Sequence, residues 1–171
     1  MQRLLGIVFG MLWLMACGSP LKKEFDLIMT ERPGHFRGFS PGDSYEAILQ
    51  NEPTENRLFM DSTALQYKIH VSDSEYCQVN YVFENMTLAE IHASIFIGKP
   101  EQGEALANLF RTYYEEKNQS PCIESKGALT CTDTSGIKVE IYDETSLYES
   151  SAVRIWVYTE KRFPESVSPA I

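Results

Sequence analysis

From Leu65 onwards, apolar and polar side chains alternate along the chain with a period of two. Leu65, Tyr67, Ile69 and Val71 form one apolar row; Cys77, Val79, Tyr81 and Phe83 a second; Ile91, Ala93, Ile95 and Ile97 a third. Period two places alternate side chains on opposite faces of a strand, so each row predicts a strand with one buried face. Glu84-Asn85-Met86-Thr87 reads as the turn between the second and third. The period then changes. Leu106, Leu109, Phe110, Tyr113 and Tyr114 recur at three-to-four spacing, which predicts an amphipathic helix from Pro100 to about Lys117, closed by Asn118 and Pro121. Alternation resumes at Leu129 and Cys131, at Ile137, Val139 and Ile141, and at Val153, Ile155 and Val157.

Upstream, Asp43-Ser44-Tyr45-Glu46 has the form of a capping box with Asp43 as N-cap, opening a short helix to about Gln50. Residues 17–42 hold Pro20, Pro33, Gly34, Gly38, Pro41 and Gly42 and read as tether and loop, with Phe25 to Met29 available as a short docking strand. Strands in sequential runs joined by short turns predict an antiparallel sheet of about six strands. The expected fold class is α+β, with the long helix packed across one face of that sheet and a short N-terminal helix. Residues 43–171 then form a single domain, which a chain of 171 residues has room for.

The first sixteen residues follow a different pattern. Met1 to Arg3 carry one positive charge, Leu4 to Met15 carry none, and small Ala16 precedes Cys17. This is the layout of an export signal, and the apolar run is shorter than the roughly 20 residues that span a bilayer. Leu14-Met15-Ala16-Cys17 resembles the lipobox of bacterial lipoproteins. The resemblance implies cleavage after Ala16, diacylglycerol on the Cys17 thiol, and a freed amine open to acylation. It also implies an envelope protein attached to the membrane through its lipid, and Gly18 after the cysteine leans towards the outer membrane. Anchoring of this kind becomes stable with two or three chains.

Charge narrows the partners. Fifteen basic against 24 acidic residues give −9, and loss of residues 1–16 removes only Arg3, leaving −10. Such a balance argues against nucleic acid and against electrostatic docking on anionic lipid. With Cys17 assigned to lipid, Cys122 and Cys131 are the favoured disulfide, flanking the turn-like Ser125-Lys126-Gly127 in an oxidising compartment. Cys77 lies in phase with a core row, although a bridge from it to either other cysteine stays open.

No catalytic constellation emerges, and no metal or cofactor is expected. Ser135 and Lys138 match a Ser-x-x-Lys spacing, but that chemistry needs a helix start and these residues enter a strand. Glu90, His92 and Ser94 share a strand face, where neighbours stand roughly 6–7 Å apart in Cα, too far for a triad. The candidate binding residues are His92, Phe96, Tyr142, Arg154, Trp156 and Tyr158, which fall on the sheet face opposite the aliphatic rows. Trp, Tyr and Arg dominate many interfaces, so this face predicts a non-catalytic module for an unknown protein or glycan partner. The same face could instead be covered by residues 25–49, with Phe36 and Phe39 as plugs. Two other functions fit the charge and address: an inhibitor or immunity protein for a basic hydrolase, or a small envelope enzyme.

Overall fold

A computed structural model describes residues 21–148 and 151–160. The signal, the lipobox and Cys17 lie outside the described residues.

The architecture is α+β. Its sheet has eight antiparallel strands in the order β1-β2-β3-β4-β8-β7-β6-β5. They are β1 (Arg57–Met60), β2 (Ala64–His70), β3 (Tyr76–Glu84), β4 (Thr87–Phe96), β5 (Ile123–Ser125), β6 (Ala128–Thr132), β7 (Ile137–Asp143) and β8 (Ala152–Thr159). Helices α1 (Lys22–Met29), α2 (Tyr45–Asn51) and α3 (Gly103–Asn118) complete it. Each half of the sheet is a helix followed by a four-strand meander, α2 with β1–β4 and α3 with β5–β8. The last strands of the two halves, β4 and β8, pair at the centre.

The expected count of about six strands is corrected to eight. Both additions, β1 and β5, are edge strands of four and three residues without a buried face, so no alternation betrays them. The longer strands alternate as their sequences require: β2, β3, β4, β7 and β8 point Leu65, Tyr67, Val79, Tyr81, Ile91, Ile95, Val139, Ile155 and Val157 into one fully buried layer. Glu84 pairs with Thr87, and Asn85 and Met86 between them both have positive φ, as a tight hairpin of this twist demands.

Helix α3 crosses this aliphatic layer with Leu106, Phe110 and Tyr114 buried. Its first residue must be small, because a Cβ on Gly103 would stand 2.0 Å from Thr145 Oγ1 in the β7–β8 connection. The Cys122–Cys131 disulfide ties the segment after α3 to β6, and Cys77 is a free buried thiol, pushed up to about 12 by desolvation.

The segment expected to be tether enters the core from Leu21 onwards. Residues 22–29 form a helix, not a strand, and bury Phe25, Ile28 and Met29 at i, i+3 and i+4. Phe25 packs on Phe110 and Tyr113 with ring centroids 4.9 and 5.7 Å away. Phe36 and Phe39 are buried in the same aliphatic layer, Phe39 edge-on to Tyr81 at 5.5 Å, and do not plug the second face. Helix α2 joins them there through Tyr45 against Phe83. Its N-cap is Ser44, which accepts from the Ala47 amide; Asp43 turns back to accept from the Ser40 amide.

An ion pair closes this packing. Arg37 donates to both oxygens of Glu52 at 2.8 and 2.9 Å and to the Ile28 carbonyl at 2.7 Å, ending α1. Tyr81 adds its hydroxyl to Glu52 at 2.5 Å. The two buried charges thus neutralise each other in a site where an unmatched charge would be costly.

Candidate functional site

The second sheet face is assembled by the parity of three strands. Where β8 turns Val153, Ile155 and Val157 inward, it turns Arg154, Trp156 and Tyr158 outward. Register sets Trp156 between His92 on β4 and Glu140 on β7, and Arg154 between Ser94 and Tyr142. Five of the six candidate residues therefore meet. His92 and Trp156 rings lie 5.3 Å apart and Trp156 and Tyr158 rings 4.8 Å apart. The Arg154 guanidinium sits 4.9 Å from the Tyr142 ring centre and pairs with Glu144 at 2.7 Å. Phe96 stands apart, making its ring contacts with Tyr76 and Tyr148 at 5.1 and 5.2 Å.

Two carboxylates organise the rings. Glu90 Oε2 accepts from Trp156 Nε1 at 3.1 Å and meets His92 Nε2 at 2.7 Å. Glu140 accepts from Tyr158 at 2.7 Å and from Tyr142 at 2.5 Å, one phenol on each oxygen. Desolvation, then the bond to Glu140, pushes the Tyr142 phenol up to about 12, and the same causes raise Tyr158. Both phenols stay protonated as donors across the physiological range. Neither carboxylate is among the binding candidates that the sequence offers: Glu90 shares the strand face of His92 there only as part of the dismissed triad, and Glu140, two residues before Tyr142, carries the same period-two signal.

The Glu90–His92 contact is closer than strand spacing alone suggests, because both side chains lean along the strand. Among the described residues no hydrogen bond joins Ser94 to His92, so a nucleophile is missing from that pair. Ser135 and Lys138 do not meet either: Ser135 bonds to Asp133, and Lys138 to Glu160 at 2.6 Å. Among the described residues no group of three or more His, Cys, Asp or Glu side chains is placed to hold a metal ion, and no helix is long and apolar enough to cross a membrane.

Beside Glu140 and Tyr142 the same face dips into an open concavity of about 420 Å³, floored by Thr130, Thr132 and Lys138 and walled by β5. That volume lies in the range of small-ligand sites, roughly 300–1,000 Å³.

Fold and site define a two-layer α+β protein that presents aromatic rings held by carboxylates on one sheet face. No protein-family model matches the chain, and no curated protein or solved structure is significantly similar to it.

Proposed function

We propose that this chain is an envelope lipoprotein, anchored through Cys17, whose outer sheet face captures a protein or glycan partner without chemistry. The observation that carries the reading is the Trp156–Tyr158–Tyr142–His92 group held by Glu90 and Glu140. Side chains already locked by hydrogen bonds lose little rotamer freedom on binding, and that cost weakens many interfaces. Half-buried rings flanked by Arg154 match the residue types on which binding energy concentrates. The anchor rests on Leu14-Met15-Ala16-Cys17.

The test uses the full chain in membranes. Native product should carry fatty-acid mass on Cys17 and lose it in Cys17→Ala. Capture of a specific partner from envelope extracts should fall at least tenfold in Trp156→Ala, a loss of about 1.4 kcal/mol or more, while the thermal midpoint shows the fold intact. Undiminished capture by Trp156→Ala would refute the site, and a product without lipid would refute the anchor. The acidic charge of −9 also favours a basic partner, as an inhibitor of a basic hydrolase would have; capture weakening steeply with salt would favour that version.

A further inference from the structure

Trp156 stands in the middle of a row that crosses the sheet. Strand register sets Gln66 beside Asn80, Asn80 beside His92, His92 beside Trp156, Trp156 beside Glu140, and Glu140 beside Thr130. All six side chains lie on the outer face and are half-buried. The row runs over β2, β3, β4, β8, β7 and β6, roughly 24 Å at about 4.8 Å per strand spacing. Among the described residues, no side-chain hydrogen bond engages Gln66, Asn80 or Thr130. Amides and hydroxyls of this kind both donate and accept. We propose that the row binds an extended, uncharged glycan chain, laid across the strands with one sugar ring over Trp156. This rests on the capture surface proposed for the same face and names its partner.

The occupant follows from the chemistry of the row. A pyranose ring presents C–H groups on its faces and hydroxyls round its rim. Its faces suit the electron-rich surface of an indole, and its rim needs partners that donate and accept side by side. Gln66 and Asn80 supply these on one side of Trp156, Glu140 and Thr130 on the other. Each Glu140 oxygen accepts one phenol, from Tyr158 or Tyr142, and a carboxylate has about four acceptor sites, so sugar hydroxyls can still bond to it. Charge points the same way. Although the chain carries −9, the charges bordering the row are answered on the face itself. Arg154 pairs with Glu144, Lys138 with Glu160, and Lys68 sits 4.0 Å from the Tyr76 ring centre. A strongly basic or acidic partner would find little complementary charge here. Nor does the row resemble a protein-interface core, where aromatic, Met and Arg side chains gather; here amides and a hydroxyl flank one Trp. At the Thr130 end the face opens into the concavity of about 420 Å³, so a chain is not blocked there.

Calorimetric titration of the full chain in detergent tests this. The probes are cellohexaose and chitohexaose, their disaccharides cellobiose and chitobiose, and hexagalacturonate as the acidic counterpart. At least one neutral hexasaccharide should bind, about tenfold more tightly than its disaccharide, because only the longer chain reaches both ends of the row. Its affinity should not change between low and high salt. Gln66→Met and Thr130→Val, at opposite ends, should each weaken the hexasaccharide about fivefold, as loss of one hydrogen bond does, and leave the disaccharide unchanged. A merely structural role at these positions would not alter the dependence on chain length, and an unchanged thermal midpoint verifies the fold. No binding of either neutral hexasaccharide, equal affinity for long and short sugars, or a preference for hexagalacturonate would each overturn the proposal. If neither sugar binds while Trp156→Ala still abolishes capture of an envelope protein, the capture surface stands and the glycan row is refuted. If Trp156→Ala changes neither assay, both are refuted.

Discussion

On β8 the inward Val153, Ile155 and Val157 are sealed from solvent, while Arg154, one residue along, keeps 47% of its side chain in water. The whole sheet divides this way. Its covered face is aliphatic, and three helices with the loop between α1 and α2 bury it; its buried charges Arg37 and Glu52 bond to each other. Its other face is aromatic, and carboxylates that reach solvent hold the rings in place. The first face derives its stability from area removed from water, about 25 cal/mol per Å². The second fixes side-chain geometry at little gain in stability, which suits a surface that must meet something else.

The same substitution on the two faces should separate these roles most sharply. Arg37→Met leaves the Glu52 carboxylate buried with only the Tyr81 hydroxyl, and should cost about 3–5 kcal/mol. Arg154→Met removes an exposed ion pair with Glu144, worth at most about 1 kcal/mol. Urea midpoints of the two variants measure the difference. Equal losses would mean that the faces do not differ in the way described.

A smaller effect tests the edge of the covered face. Reducing the Cys122–Cys131 disulfide, or replacing both cysteines with serine, frees a loop with a sequence separation of 9. The chain-entropy argument gives a loss of about 2–3 kcal/mol. Ligand capture through Trp156 should survive this change. A drop in capture larger than the drop in folded fraction would show that β5 and the adjoining concavity belong to the binding surface.

Much of the covered face was legible because burial on one side of a strand forces a period of two, and the rows from Leu65 to Ile97 and from Ile137 to Val157 obey it. Short edge strands carry no such constraint, so β1 and β5 were not visible. Helix α1 had a readable signal in Phe25, Ile28 and Met29, obscured by the Pro and Gly residues around it. What no local pattern could decide was which face the N-terminal segment covers, since that depends on the space left beside α3. Among the site residues, parity grouped Tyr142, Arg154, Trp156 and Tyr158 with His92 correctly. It could not tell that Phe96 joins Tyr76 and Tyr148 instead, because ring contacts depend on register between strands.

The smallest effect concerns the seam where the N-terminal loop meets the second half of the sheet. His35 bonds through Nδ1 to Ser40 Oγ at 2.8 Å and through Nε2 to Asp133 Oδ2 at 3.0 Å, and Tyr114 donates to its carbonyl at 2.6 Å. Burial lowers the pKa of His35 below its ordinary 6.5, the Lys117 charge lowers it further, and the bond and charge of Asp133 only partly offset them. The unfolded chain therefore binds a proton more readily than the folded one. Stability is full above pH 6.5 and declines as pH falls from there through the folded value, levelling off below it. Asp133 acts in a separate window. Burial would raise it, but bonds from Ser135, the Ile137 amide and His35 hold it below 3.8, so its contribution is present above that pH and is lost as pH falls through its folded value. Urea midpoints followed from about pH 8 to about pH 3 should show both declines in the wild type and only the lower one in His35→Gln. Stability that instead rises as pH drops below 6.5 would mean that the His35–Asp133 ion pair outweighs burial, and that the loop is clamped by charge rather than by packing.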